Sequence, residues 1–414
     1  MNDAKMKRTA PDCLCDSFYN ATHSECEASS GFLCELLASD QTEPTFHFNG
    51  AAIDKTEAVQ LVGRLLKEAD YPLITGLENV GVESQKAAAN VARVAGGVID
   101  SGWNDSSFAW NATMARVGMV TATIGEATLR NDIVVVVDGD PWSTHPRLAN
   151  QLAESAKTLI YLGTKSKLNA SVPWARTIFL AGEGLESLLI KLRMSLTNEL
   201  SNLHGLDSRN GELEAVLQTL GNGRHVTFLA CDNEGVTSDS EYFCSTADSL
   251  VELAVRLNKT TRSVVLSLKN SRNSYGSENV LTWNFGFPRG IDLTQKSARN
   301  FGDEFSTRNV VNRCECDLLL AIGEVPIGLL NETSIDHLAS NPIISFAWGD
   351  RTAWPPALLK PSTFVEVRNL GLLPDDFIRL DDATFELGKE HGSDVSKQLH
   401  LREFLESVVK NTIL

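Results

Sequence analysis

Apolar positions along the chain recur in two periods, which places elements before any other property is considered. From Val59 through Val62, Leu65 and Leu66 they fall on one face of a 3.6-residue repeat, which predicts a helix. Asp54-Lys55-Thr56-Glu57 immediately before it has the spacing of a capping box. Pro72 ends that helix, and Leu73-Ile74-Thr75-Gly76 reads as a short strand. A helix over 83–94 and a strand around Val98 follow. The uninterrupted apolar run 133–137 predicts a buried strand, and short runs rich in apolar and β-branched residues predict strands at 159–162, 177–180, 226–230, 264–268, 318–322 and 343–346. Helices are expected at 145–156, 185–196, from Ser245-x-x-Asp248, and at 334–339. Toward the end, 364–367, 377–380 and 384–387 read as strands, and 396–409 as a closing helix.

Short buried strands alternating with helices imply an α/β fold with largely parallel sheets. One faint repeat supports a paired arrangement. Asp132 to Pro141 and Asp317 to Pro326 each begin with Asp, run through five apolar residues, and reach a Gly, an acid and a Pro. Two such strand ends facing one cleft would suit a ligand, because ligands of open α/β sheets bind at strand carboxyl ends. The expected organisation is an irregular Cys-containing N-terminal lobe (1–50), a first α/β lobe (51–205) and a second (206–350). A C-terminal segment (351–414) would pack on the lobes.

Composition narrows the classes of function. Of 414 residues, 43% are hydrophobic and 22% charged, ordinary for a folded chain. The net charge of −16 argues against a wide nucleic-acid footprint, which needs basic surface to replace counterions. The longest strongly apolar runs, such as 133–137, are far shorter than the roughly 20 residues of a membrane helix. The polar, basic start (Met1 to Thr9) is not that of a secretory signal, so a cytoplasmic protein with reduced cysteines is expected. Phosphate-loop, dinucleotide, zinc-protease and nucleophile-elbow motifs are absent from the sequence.

Two stretches carry candidate chemistry. Cys13, Cys15, Cys26 and Cys34 crowd the first 34 residues. They could form a tetrahedral zinc site or serve as small buried residues; their spacing is wrong for a usual iron–sulfur cluster. The turn after 133–137 is the richest in polar groups, with Asp138, Asp140, His145 and Arg147. It could hold an anion through Arg147 and the next helix N-terminus, or simply cap that helix.

The chain resembles the B-type subunit of formylmethanofuran dehydrogenase, and more closely its homologue in the formyltransferase/hydrolase complex. Three blocks in order carry the resemblance. The first is Gly125-Glu126, Arg130-Asn131-Asp132 with its Val-rich strand, then Gly-Asp-Pro and His145-Pro146-Arg147. The second runs from Asn273 and Gly276 through Asn279-Val280 and Thr282-Trp283 to Gly286-Phe287-Pro288-Arg289-Gly290-Ile291-Asp292. The third is Asp317 to Gly323. The resemblance implies a molybdopterin oxidoreductase-like fold, two related α/β lobes around a cleft, with Asp138, Asp140, His145, Arg147, Asn279, Arg289 and Asp292 as cleft-lining candidates.

It also exposes two departures. The family's metal-ligating Cys-His pair follows an Ile-Asp, and counting on from Ile99-Asp100 lands on Ser106 and Ser107, as vestiges of that site. A hydroxyl is no soft ligand for tungsten. Ala10 stands for the first cysteine of the family's N-terminal cluster motif, and the remaining spacing is contracted. Molybdopterin and the Fe–S cluster are therefore expected to be absent, leaving a non-catalytic subunit in tetrahydromethanopterin-linked one-carbon metabolism. Its expected partners are an amidohydrolase-like hydrolase subunit, a formyltransferase subunit and a furan-type formyl carrier, with no nucleic acid and no membrane. Trp103, Trp110, Trp142, Trp348 and Trp354 are candidate interface anchors, or core. Two other readings stand beside this one: an active tungsten or molybdenum dehydrogenase subunit, and a stand-alone small-molecule-binding protein.

Overall fold

The computed structural model describes residues 44–103, 108–122, 124–144, 148–163, 174–180, 184–196, 210–231, 240–268, 273–323, 325, 327–347, 363–368 and 401–413. In chain order it begins with β1 (Thr45–Phe48), β2 (Ala51–Ile53), α1 (Lys55–Glu68), β3 (Pro72–Thr75), α2 (Val82–Ala95) and β4 (Val98–Ile99). The middle holds α3 (Phe108–Arg116), α4 (Ile124–Arg130), β5 (Ile133–Val137), α5 (Pro141–Thr144), α6 (Leu148–Ser155), β6 (Thr158–Leu162) and β7 (Arg176–Leu180). It continues with α7 (Leu185–Leu196), α8 (Asn210–Asn222), β8 (His225–Cys231), α9 (Ser240–Leu257) and β9 (Arg262–Leu268). Then come α10 (Ser274–Phe285), β10 (Ile291–Asp292), α11 (Thr307–Asn312), β11 (Leu318–Ile322), α12 (Glu332–Ser340), β12 (Ile343–Ala347), β13 (Phe364–Arg368) and α13 (Leu401–Ile413).

The strands form two sheets in two compact units. Among the described residues, one unit combines 44–103 with 273 onward, and the other is 108–268. The first contains an eight-stranded sheet, ordered β10-β4-β3-β11-β12-β13-β1-β2. Its centre, from β4 to β13, is parallel, and β10 and the β1–β2 hairpin add antiparallel edges. Asp54 accepts from the amide of Glu57 at 2.8 Å, so the cap expected of α1 is present. Leu73, Leu319, Ala321 and Ile343 bury one sheet face against Val310 and Val311 of α11 and Leu338 of α12. Phe404 of α13 stacks on Phe46 of β1 at 5.9 Å and meets Phe346 of β12 edge-on at 5.6 Å.

The second unit is a five-stranded parallel sheet, ordered β7-β6-β5-β8-β9. By order of appearance this is third, second, first, fourth, fifth, the doubly wound arrangement. The run Ile133-Val134-Val135-Val136-Val137 is apolar at every position because both sheet faces are covered. Ile133, Val135 and Val137 pack with α7, α8 and α9 through Leu189, Leu192, Leu220 and Leu253. Val134 and Val136 pack with Ala127 of α4 and Leu148 and Leu152 of α6.

The α/β fold with largely parallel sheets is as expected; the domain boundaries are not. β8, assigned to a second lobe from 206, pairs with β5, and β3 pairs with β11 rather than with strands of its own stretch. In sequence, one unit is inserted between two halves of the other. Local pattern marks a strand but not its neighbour, which is decided by shared packing. Residues 351–414 are likewise no mere appendage, since β13 is an integral strand and α13 packs on α1 and α2. Thr45–Phe48, expected within an irregular lobe, is also a strand of that sheet. The strands expected at 377–380 and 384–387 lie outside the described residues, as do Pro326, Trp348 and Trp354. Among the described residues no helix is long and apolar enough to cross a membrane.

Candidate functional site

In the five-stranded unit the winding direction reverses between β5 and β8, and the crevice at the carboxyl ends there is where such sheets take ligands. The chain leaves β5 through Asp138, a non-glycine residue at φ 35°, and Gly139 at φ 148°. Positive φ in a β-carbon-bearing residue costs about 1–3 kcal/mol and persists only where neighbours over-determine it. Asp138 donates its amide to the Leu162 carbonyl at 2.9 Å, and Gly139 donates to the Tyr161 hydroxyl at 3.3 Å. Gly163 lies close alongside: a β-carbon there would meet the Asp138 carboxylate at 3.0 Å. Asp140 accepts from the Trp142 amide at 3.2 Å, which opens α5.

Trp142 and Trp174 meet here with ring centroids 6.4 Å apart. Both indole N–H groups are buried with no hydrogen-bond partner, a costly condition for a donor. The turn thus offers two indole N–H donors beside an aromatic wall, with the Asp138 and Asp140 carboxylates, already engaged within the protein, alongside. His145 and Arg147, expected at the same turn, lie outside the described residues.

In the eight-stranded unit the carboxyl ends of β3 and β11 are equally polar. Gly76, at φ 88°, passes so close to Ile322 that a β-carbon would overlap its carbonyl oxygen. The Asn79 amide bridges these two strand ends, donating to Gly76 O at 3.1 Å and Ile322 O at 2.9 Å. Gln85 donates to the Leu77 and Val80 carbonyls at 3.0 and 2.9 Å, and Asn273 donates to Val80 O at 2.9 Å. The Gln85 carbonyl oxygen and the Ser274 hydroxyl are buried without a partner. Glu278, one turn along α10 from Ser274, is also buried. None of Gln85, Ser274 and Glu278 was legible as a site residue. The only signal was the Asn273…Gly276…Asn279 spacing, which marks where α10 starts.

Three expected cleft residues have other surroundings. Arg289 is buried, and its guanidinium donates to Asp100 at 3.2 Å. Asp100 also accepts from the amides of Ser101 (2.9 Å), Gly290 (2.9 Å) and Thr307 (2.7 Å). Asp292 is fully buried, ion-paired with Arg299, and accepts from the Thr294 amide and hydroxyl at 2.8 and 2.6 Å. The Asn279 amide donates to Tyr275 O of its own helix at 2.7 Å. Arg289 and Asp292 therefore lock the loop around β10. Ser106, Ser107 and the cysteines Cys13, Cys15, Cys26 and Cys34 lie outside the described residues. Among the described residues no three His, Cys, Asp or Glu side chains gather as a metal site.

Comparison with known proteins gives this arrangement a context. No family model matches the chain. Over 323 residues it is 22% identical to the B-type subunit of the tungsten-containing formylmethanofuran dehydrogenase 2 of Methanocaldococcus jannaschii, covering 70% of this chain and 69% of that one. The chain is similar to the B-type subunits of formylmethanofuran dehydrogenase. The corresponding subunit of Methanococcus maripaludis is 19% identical over 320 residues, with the same shares covered. The fold matches a chain in the crystal structure of the formyltransferase/hydrolase complex from Methylorubrum extorquens in complex with methylofuran. The TM-score is 0.67 at 18% identity, over 89% of this chain and 98% of that one. At that identity the match establishes the fold.

Of the tryptophans expected as anchors, Trp103 and Trp110 are core, 4% and 3% exposed. Trp142 is half-buried at the turn described above. The large exposed apolar side chains of the eight-stranded unit include Trp283 and Phe301, at 57% and 65%.

Proposed function

We propose that the chain is a B-type subunit of a formyl-handling complex in tetrahydromethanopterin-linked one-carbon metabolism, retained as a scaffold after loss of its redox centre. The observation that carries this reading is a conjunction. Sequence similarity to the dehydrogenase subunit spans 70% of the chain, yet Ser106 and Ser107 stand where the resemblance expects the metal-ligating pair. No cysteine occurs between Cys34 and Cys231.

The described thiols do not fit a tungsten centre, which needs deprotonated soft sulfur. Burial pushes the Cys316 thiol up to about 12, so it keeps its proton. Cys314 donates its thiol to the Thr333 carbonyl at 3.8 Å. Both precede β11, at the end of the sheet opposite to where ligands bind.

In this reading the chemistry belongs to partners, an amidohydrolase-like subunit and a formyltransferase subunit. The chain would supply a permanent interface of roughly 2,000 Å² or more in total, with Trp283 and Phe301 as anchors, and a surface for a furan-type formyl carrier. A cytoplasmic location belongs to the same proposal. The test is native purification, with metal and pterin analysis and identification of co-eluting chains. The expected result is no tungsten, molybdenum or iron cluster, and co-elution with hydrolase and formyltransferase chains. Stoichiometric tungsten with pterin would instead favour an active dehydrogenase subunit, the activity for which its relatives are named. A stable solitary chain would favour an independent small-molecule-binding protein.

A further inference from the structure

Because all five strands of the doubly wound sheet are parallel, their amino ends share one rim. Each start carries a cation: Arg130 before β5 (itself paired with Glu126 at 3.5 Å), Lys157 before β6, Arg176 opening β7, Arg224 before β8 and Arg262 opening β9. Neighbouring strands lie ~4.8 Å apart, so these five charges span about 20 Å. The sequence as a whole has 37 basic residues against 53 acidic, so such a row is not the average of its surface.

The rim also holds a hollow of about 520 Å³, lined among others by Asp132, Thr158, Arg176, Gln218, Asn222 and Arg224. That volume falls within the range of ligand sites, roughly 300–1,000 Å³. Asp132 is engaged from below: its carboxylate accepts from the amides of Arg224 at 2.7 Å and His225 at 3.2 Å. The Arg224 guanidinium is only loosely associated with it, at 3.9 Å, and the Arg224 side chain is 94% exposed. Arg176 is exposed as well.

A purely structural account of the row exists. Crossover helices run opposite to the strands, so helix C-termini such as that of α8 at Asn222 point to this rim. Their partial negative charge favours nearby cations. It accounts for bases at the rim in general. It does not account for two exposed guanidiniums bordering one hollow together with amide and hydroxyl donors. Guanidinium forks match carboxylate and phosphate oxygens in geometry and charge.

We infer that this hollow binds a small, multiply charged anion through Arg176 and Arg224, with Gln218, Asn222 and Thr158 as neutral donors and the remaining cations supplying the field. This is independent of the subunit role proposed above. The test is calorimetric titration of the full chain at low salt with citrate and, separately, inorganic pyrophosphate. Saturable binding of at least one is expected, weakened about tenfold or more in the double variant Arg176→Gln/Arg224→Gln. Affinity should fall steeply with added salt. Citrate alone binding assigns carboxylates; pyrophosphate alone assigns phosphates. Absence of saturable binding of either probe up to about 10 mM overturns the inference. So does binding that the double variant leaves unchanged. Since both arginines are exposed, the double variant should fold, and its melting temperature is recorded alongside. A lowered melting temperature without any change in binding assigns the row to helix-end compensation alone and rejects the site.

Discussion

Asp132 and Asp317 perform the same task in two different sheets. Asp132, just before β5, accepts the amides of Arg224 and His225 at the start of the neighbouring β8. Asp317, just before β11, accepts the amides of Asp70 and Tyr71, at 2.6 and 2.9 Å, at the start of the neighbouring β3. Each carboxylate pins the amino end of an adjacent parallel strand. The sequence repeat beginning at these residues therefore has a mechanical basis at the strand beginnings. Replacing Asp317 by Ala should leave two amides unpaired and cost about 1–3 kcal/mol. Urea unfolding measures it; a change under about 0.5 kcal/mol would show that water substitutes fully.

Arg289 behaves as a structural residue in this arrangement. Asp100 is fully buried and receives the Arg289 guanidinium and three backbone amides. Arg289→Met removes the only described side-chain donor to a buried carboxylate, and is expected to cost about 3–5 kcal/mol. Chemical denaturation is the readout. Wild-type stability in this variant, with weakened ligand binding instead, would return Arg289 to a cleft role.

Gly76 should tolerate no side chain. Its φ of 88° disfavours any β-carbon, and Ile322 O occupies the space one would take. Gly76→Ala is expected to destabilise by more than about 2 kcal/mol, visible as a lowered melting temperature. Gly50, also at positive φ but with nothing near its β-position, is the control and should lose less as Gly50→Ala.

Stability should fall in alkali. Burial raises the Cys316 thiol from 9.0 to about 12. Burial, reinforced by the Asp292 and Glu315 charges, raises the Tyr71 hydroxyl from 10.0 to about 12. Both groups hold their protons more tightly folded than unfolded. Between about pH 9 and 12 the unfolded chain releases protons first, so their contribution is complete below pH 9 and is lost as pH rises through 12. Melting temperatures across that range should decline, and Cys316→Ala should flatten the decline while lowering the plateau. A flat profile in the wild type would contradict both shifts.

Much of the fold was legible because it rests on local physics. A strand covered on both faces must be apolar at every position, so the five-residue Ile133–Val137 run could only be central. The Asp54 side chain had to find the Glu57 amide to start α1. The absence of any cysteine from 35 to 230, which bears on metal, is a fact of sequence alone. Strand partnership and depth were decided only by tertiary structure. No local pattern tells β3 to pair with β11, 246 positions on, with Asn79 bridging their ends. Nor does the motif Arg289…Asp292 say whether its charges face solvent or one another's counterions inside the protein. Charged residues are drawn to water by default, and only a complete set of donors, here Ser101, Gly290 and Thr307 amides around Asp100, makes their burial tolerable. Likewise, the five cations from Arg130 to Arg262 are scattered in sequence. They become one rim because the parallel, doubly wound order brings every strand beginning to the same end.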